Sequence, residues 1–299
     1  MIDVRGVRKE FADVEAVKEV SLHVERGSIY GLLGSNGAGK TTLLKMIAGI
    51  YKQDHGDILI AGERVFENTS IKQKLLFLPD ALYFFPQTTI RQMAQFYRDV
   101  YPSWNEERFV QLQEAFPLDL DKKIHRMSKG MQRQAAFWLA FSAMPDVMIL
   151  DEPLDGLDAV MRQKVKNLLV QDVAERQMTV IISSHNLREV EDLCDHIGIL
   201  HKGEVILEKE LDDVKADVHK IQVAFRGGIP SSFLSGLHVV YQEQRGSVLL
   251  CIVRGQKERV ESYIHQFEPV IFDVLPLTLE EIFVYEMGGV GYAIENILV

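Results

Sequence analysis

Hydrophobic and polar positions divide the chain into segments of contrasting period. The first segment alternates short β-rich runs, among them GSIYGLLG at residues 27–34, with turns, as an antiparallel edge meeting a central sheet does. Residues 40–48, KTTLLKMIA, carry apolar side chains at helical spacing and stop at Gly49, a residue suited to a helix C-terminus. Strand, glycine loop and helix are therefore expected in succession. From Ile90 to Ala143 the helical period dominates, through IRQMAQFYRDVY, a Pro-Ser-Trp turn, EERFVQLQEAF, and a helix opened by HRMSKGMQRQ. Two apolar runs, VMIL and MTVIISS, then flank a helix expected over 158–175, the pattern of a βαβ unit with a parallel sheet. The main body is expected to be α/β.

After GILHKGEVILEKEL the texture changes. VHKIQVAF, LHVVYQEQ and SVLLCIVRG read as strands joined by glycine-containing turns, followed by a helix in QKERVESYIHQF, one more strand and a last helix near TLEEIFVYEM. A domain boundary is placed near residue 212, giving domains over 1–211 and 212–299, the second a small α+β unit. The closing GGVGYAIENILV carries no pattern.

Composition narrows the class. A chain of 299 residues has room for one large core and a smaller one. No apolar run reaches the length needed to cross a bilayer, and MIDVRGVRKEFADV lacks the apolar core of a signal peptide. Two cysteines, Cys194 and Cys251, are too few for a disulfide framework, so a cytoplasmic setting is expected. A net charge of −10 gives no general attraction to nucleic acid, and no nucleic-acid partner is expected.

The chemistry starts at GSNGAGKTT, residues 34–42, which fits G-x-x-x-x-G-K-[ST] between an expected strand and helix. Gly34, Gly37 and Gly39 let backbone N–H groups turn inward around a phosphate, with Ser35, Asn36 and Ala38 completing the loop. The helix start adds its dipole. Lys40 reaches phosphate oxygens as a point charge, the Thr41 hydroxyl is placed to ligate Mg²⁺, and Thr42 continues the first helical turn. ATP and Mg²⁺ are the expected ligands.

In VMILDEPLDGLD, residues 147–158, an apolar run delivers Asp151 to the C-terminal edge of a buried strand, where a carboxylate holds a cation beside Thr41. Glu152, the next residue, is placed to polarise an attacking water. Asp155 reads as a turn former. His185 closes the next strand, in VIISSHNLREVEDL, at the same sheet edge; it serves either the γ-phosphate and the water or merely the helix that follows. Ser128 begins a helix, so Ser128 and the N–H of Gly130 offer a second anion site, although an ordinary capped helix accounts for them too.

GSNGAGKTT, MSKGMQRQ, ILDEPLDGLD and SSHNLREVEDLCD, in this order, resemble the motifs of the ATP-binding cassette ATPases over about residues 1–210. The resemblance implies a P-loop core of RecA-like type, an antiparallel β subdomain, a helical subdomain at about 81–144, and a small accessory domain at the C-terminus. It also implies a role for MSKGM, which is similar to the signature usually written LSGGQ: Ser128 and Gly130 would bind the ATP held by an opposite subunit in a head-to-tail dimer. Phe11 matches the aromatic on which adenine stacks, with a core phenylalanine as the competing account, and Asp158 matches a residue linking the two sites, with a helix N-cap as the competing account.

Departures accompany the match. Asp80 stands where the family usually has a glutamine that touches Mg²⁺, and Lys129 and Met131 replace a glycine and a glutamine of the signature. These variants resemble exporter subunits of Gram-positive bacteria, including exporters of antimicrobial or amphipathic peptides. The resemblance thus implies an ATPase on the inner face of the membrane, driving a separate transmembrane permease. A soluble cassette ATPase acting on the ribosome or nucleic acid is the alternative.

Overall fold

The protein is described from a computed structural model covering residues 1–216 and 218–282. Its N-terminal strands β1 (Ile2–Phe11) and β2 (Val14–Val24) pair antiparallel, Ile2 opposite Val24 and Phe11 opposite Val14. Alternation buries Val20, Leu22 and Val24 on one face with exposed positions between them, and a bulge at Glu19 (φ 48°) returns Val17 to that face. Strand β3 (Ile29–Leu33) is different. All five of its residues are buried, and it leads through the glycine loop into α1 (Lys40–Ile47). Strands β4 (His55–Ile60) and β5 (Glu63–Arg64) complete a four-stranded sheet in the order β2-β1-β4-β5.

Helix α1 is the shared core element. Leu43, Leu44, Met46 and Ile47 are fully buried in one cluster with Val7 and Val20 of the antiparallel sheet and Tyr30 and Leu32 of β3. Burying each such side chain stabilises the fold by about 1.5–3 kcal/mol before entropy is counted, which anchors the start of α1.

A single-turn helix α2 (Thr69–Lys72) precedes β6 (Leu75–Leu78). The helical segment follows, with α3 (Ile90–Val100), α4 (Glu106–Gln111) and α5 (Lys129–Ser142). Thr89 and Gln92 form a reciprocal capping box on α3, while Asn105 and Ser128 cap α4 and α5. The helix expected through EERFVQLQEAF stops at Gln111, short of Phe116. Residues 112–116 turn instead, the N–H groups of Gln113, Glu114 and Ala115 bonding the carbonyls three residues back, and Pro117 disfavours helical backbone at Phe116. Trp138 of α5 is fully buried, stacks on Phe109 at 4.9 Å and donates its indole N–H to the Phe109 carbonyl at 2.8 Å.

The chain then returns to the sheet through β7 (Val147–Asp151), α6 (Ala159–Arg176), β8 (Thr179–Ser184), α7 (Leu187–Glu191) and the hairpin β9 (His196–His201) and β10 (Glu204–Glu210). The six strands lie in the order β10-β9-β3-β8-β7-β6, with parallel pairing of β3 to β8 and β9 and of β7 to β8 and β6. Every residue of β7 and β8 is buried, as a sheet covered on both faces demands. Leu33 faces Ser184 and Asp151 faces Ser183 in register, so three motif-bearing loops leave one sheet edge. Among the described residues, no helix is long and apolar enough to cross a membrane.

The chain divides into compact units at Glu208/Lys209, against the boundary placed near residue 212 from sequence. The second unit contains α8 (Leu211–Ala216), β11 (Val218–Ala224), β12 (His238–Arg245), β13 (Val248–Arg254), α9 (Lys257–His265) and β14 (Ile271–Leu275). Its antiparallel sheet runs β12-β13-β11-β14 around a core of Ile221, Val223, Phe233, Cys251, Val253 and Ile264. A helical turn begins at 279, capped by Thr278 with Glu281; the rest of the helix expected in TLEEIFVYEM lies outside the described residues.

Candidate active site

The phosphate loop is wedged between strands. A Cβ on Gly34 would lie 2.3 Å from the Leu200 carbonyl, and one on Gly39 would lie 2.4 Å from that of Ala16. Gly39 also has φ 106°, which only glycine adopts without strain. No side chain caps α1, so the N–H groups of Lys40, Thr41 and Thr42 point out of the helix start into the loop, and the dipole favours an anion there. Ser35, Asn36 and Gly37 are exposed on the loop and Ala38 is buried beneath it. Lys40, 6% exposed, donates to the Gly34 carbonyl at 2.6 Å, and its Nζ lies 3.4 Å from Glu152 Oε1.

The sheet edge gathers the other groups. Thr41 donates its hydroxyl to Asp151 Oδ2 at 2.8 Å, and Ser183 donates to Asp151 Oδ1 at 2.7 Å. The same Ser183 oxygen accepts the Glu152 N–H at 3.0 Å. Glu152 Oε2 in turn meets His185 Nδ1 at 2.8 Å and accepts the His185 N–H at 3.2 Å. Glu152 itself has φ 45°, a left-handed conformation that a non-glycine residue holds only when its surroundings enforce it. Ligand atoms of Glu152, Asp155 and His185 lie within 4.8 Å of one another. Behind them, burial pushes the Glu189 carboxyl above the usual carboxylate range, opposed by Arg162 at 3.4 Å.

Lys40, Thr41, Asp151, Glu152 and His185, all singled out from sequence, are thus brought together. Phe11 sits at the exposed tip of β1, edge-on to Tyr51 at 5.5 Å with Lys9 Nζ 5.3 Å from its ring centroid; it is a surface aromatic and not a core one. Ser128 and Lys129 are exposed at the start of α5, where Ser128 accepts from the Met131 N–H at 3.2 Å. Gly130 packs on the loop after β7, because a Cβ there would lie 2.8 Å from the Gly156 carbonyl. Asp158 caps α6 through the Met161 N–H at 2.9 Å. Asp80, expected as a metal ligand, has its Oδ1 3.2 Å from Arg133 Nη2.

Sequence reasoning passed over three residues here. Ser183 bridges Asp151 and Glu152; the only signal was a hydroxyl at the end of a buried apolar run, in VIISSH. Asp155, read as a turn former, joins Glu152 and His185. Arg133, 9% exposed on α5, binds the main chain of both Asp80 and Glu152, which no local pattern announces.

Hydroxyl and carboxylate oxygens of Thr41 and Asp151, hard donors beside the phosphate loop, fit Mg²⁺. A loop that grips a triphosphate, with a paired carboxylate and imidazole at its mouth, places the protein among the phosphate-loop nucleoside triphosphatases. Comparison with known proteins refines the class. Residues 17–155 match the family model described as ABC transporter. The ABC transporter ATP-binding protein YtrB of Bacillus subtilis is 33% identical over 289 residues, covering 97% of this chain and 99% of YtrB. The bacitracin transport ATP-binding protein BcrA of Bacillus licheniformis is 31% identical over 218 residues, 72% of this chain and 71% of BcrA. A solved dimeric structure of MJ0796, a bacterial ABC transporter cassette, shares the fold with a TM-score of 0.65 at 23% identity, over 71% of this chain and 99% of that one. The chain belongs to the ABC transporter family, as one of its ATP-binding, ATP-hydrolysing proteins.

Proposed function

We propose that the chain binds MgATP in the phosphate loop, pairs head to tail with a second ATPase subunit around two nucleotides, and drives export through a separate transmembrane permease. The observation that carries this reading is the continuous relay Thr41–Asp151–Ser183–Glu152–His185 at the mouth of the loop. Backbone N–H groups of residues 35–42 and Lys40 hold the β- and γ-phosphates, and Phe11 offers its ring to the adenine. Thr41 and Asp151 would hold Mg²⁺, which when bound neutralises charge on the β- and γ-oxygens. Glu152 Oε1 receives a proton from the attacking water while His185, fixed on Oε2, sets the carboxylate's orientation.

Ser128, exposed at a helix start, and the N–H of half-buried Gly130 are available to a γ-phosphate bound by the other subunit. Loss of that phosphate removes the contact and lets the pair open, so hydrolysis becomes motion. Tyr83, Phe85, Phe96 and Val100 form an exposed apolar group on the helical segment, with Phe85 edge-on to Phe96 at 5.1 Å. Such a patch supports a partner docked there, in keeping with a chain that works peripherally on the inner membrane face. The relatives named above are transporter ATP-binding proteins, and no observation favours the alternative on ribosomes or nucleic acid. The test is Glu152→Gln. ATP binding is expected to persist and hydrolysis to be lost; wild-type turnover in that variant removes Glu152 from its role.

A further inference from the structure

Arg133 lies five residues beyond Ser128, in the second turn of α5, and points back toward the sheet edge. Its Nη1 donates to the Glu152 carbonyl at 3.0 Å, and its Nη2 donates to the Asp80 carbonyl at 2.8 Å and faces Asp80 Oδ1 at 3.2 Å. One rigid guanidinium therefore ties the signature helix to the loops that leave β6 and β7.

Glu152 is the residue most in need of such a tie. Its φ of 45° is unfavourable for a side-chain-bearing residue, and its neighbours must hold it there. The N–H is held by Ser183 and the carboxylate by His185 and Lys40. The carbonyl has Arg133 at 3.0 Å and the Asp155 N–H at a longer 3.4 Å. Asp80 completes the arrangement by offering both a carbonyl and a carboxylate to the same planar fork, a match that a lysine ammonium does not reproduce.

We propose that Arg133 is a positioning residue for hydrolysis: from the helix headed by Ser128 it fixes the main chain of Glu152, with Asp80 as its acidic partner. The loop that reaches the partner's nucleotide and the loop that carries this chain's own base then move as one body. Gly130, tight against the Gly156 carbonyl, is a second contact between the start of α5 and the loop after β7. Asp80 thereby acts on the reaction through Arg133 and not as a metal ligand.

The inference rests on Glu152 as the base, so Glu152→Gln is the reference variant. Full-length Arg133→Ala, Arg133→Lys, Asp80→Asn and the Arg133→Lys/Asp80→Asn double variant are compared for kcat, KM, binding of a fluorescent ATP analogue, Mg²⁺ dependence and melting. Arg133→Ala is expected to lower kcat by about tenfold or more with KM and analogue affinity changed by less than about threefold. Arg133→Lys, which keeps the charge but not the fork, recovers part of the loss and decides the matter if Arg133→Ala does not fold. Asp80→Asn lowers kcat by less, leaves the Mg²⁺ half-saturation unchanged, and is non-additive with Arg133→Lys. Wild-type kcat in both folded Arg133 variants, with Glu152→Gln inactive, overturns this inference alone. Parallel loss of kcat and analogue binding also overturns it, as does a raised Mg²⁺ requirement in Asp80→Asn. Wild-type turnover in Glu152→Gln overturns the reading of the base itself.

Discussion

Replacing Ser183 by alanine removes one oxygen atom from a site with no access to solvent. That oxygen donates to Asp151 Oδ1 at 2.7 Å and accepts the Glu152 N–H at 3.0 Å. A hydrogen bond to a charged acceptor contributes about 1.5–3 kcal/mol, and a buried N–H left without a partner costs about 1–3 kcal/mol. Both losses stem from one hydroxyl, so the expected destabilisation is about 2–5 kcal/mol. For a unit of this size that lowers the melting temperature by about 5–15 °C. The freed Glu152 main chain also shifts its carboxylate relative to the phosphate loop, and about 1.4–2.8 kcal/mol of lost transition-state stabilisation lowers kcat by about ten- to a hundredfold. Ser142→Ala is the matched control, because the buried Ser142 hydroxyl donates only to the Trp138 carbonyl within its own helix, at 2.7 Å. Differential scanning fluorimetry and a phosphate-release assay read both quantities. Wild-type melting and wild-type kcat in Ser183→Ala would show that the bridge holds nothing, and the reasoning would fail.

Three further outcomes follow from the geometry. Gly130→Ala places a Cβ 2.8 Å from the Gly156 carbonyl, so the helix start must move; a destabilisation of about 1–3 kcal/mol is expected, with ATP-dependent association weakened in a sedimentation assay made on the Glu152→Gln background. Phe11→Ala is expected to weaken ATP binding by about tenfold by equilibrium titration, while Phe11→Tyr keeps it, because stacking on one aromatic ring is worth about 1–3 kcal/mol. Burial pushes both cysteine thiols up, Cys251 to about 11, so iodoacetamide at pH 8 should leave Cys194 and Cys251 unmodified in the native protein and label both in urea, as read by mass spectrometry.

What could be read from the sequence was what short-range chemistry dictates. The glycine loop is legible because its glycines and Lys40 stand at a fixed local spacing between a strand and a helix that announce themselves by period, although the Leu200 and Ala16 carbonyls that exclude a Cβ at Gly34 and Gly39 are distant in sequence. Asp151 and His185 are legible because apolar runs of fixed length deliver them to the ends of β7 and β8. Ser183 is not, since its role depends on the parallel register that sets it opposite Asp151, a property of two strands and not of either one. Arg133 is hidden for the same reason at longer range: its partner Asp80 lies 53 positions away, and only the packing of α5 on the sheet edge brings them together. The end of α4 shows what a periodic pattern misses: the apolar spacing reads as helix to Phe116, whereas the chain tightens into turns with bonds to the third residue back after Gln111.

The central claim is that each reaction centre is built from two chains, the phosphate loop of one and the Ser128 loop of the other. Mixing two inactive variants, Lys40→Ala and Ser128→Arg, tests it most directly, because a mixed pair contains one centre carrying both lesions and one carrying neither. The account predicts no hydrolysis by either variant alone and recovered hydrolysis in the mixture. Full activity of Ser128→Arg by itself, or a mixture as silent as its parts, would contradict it.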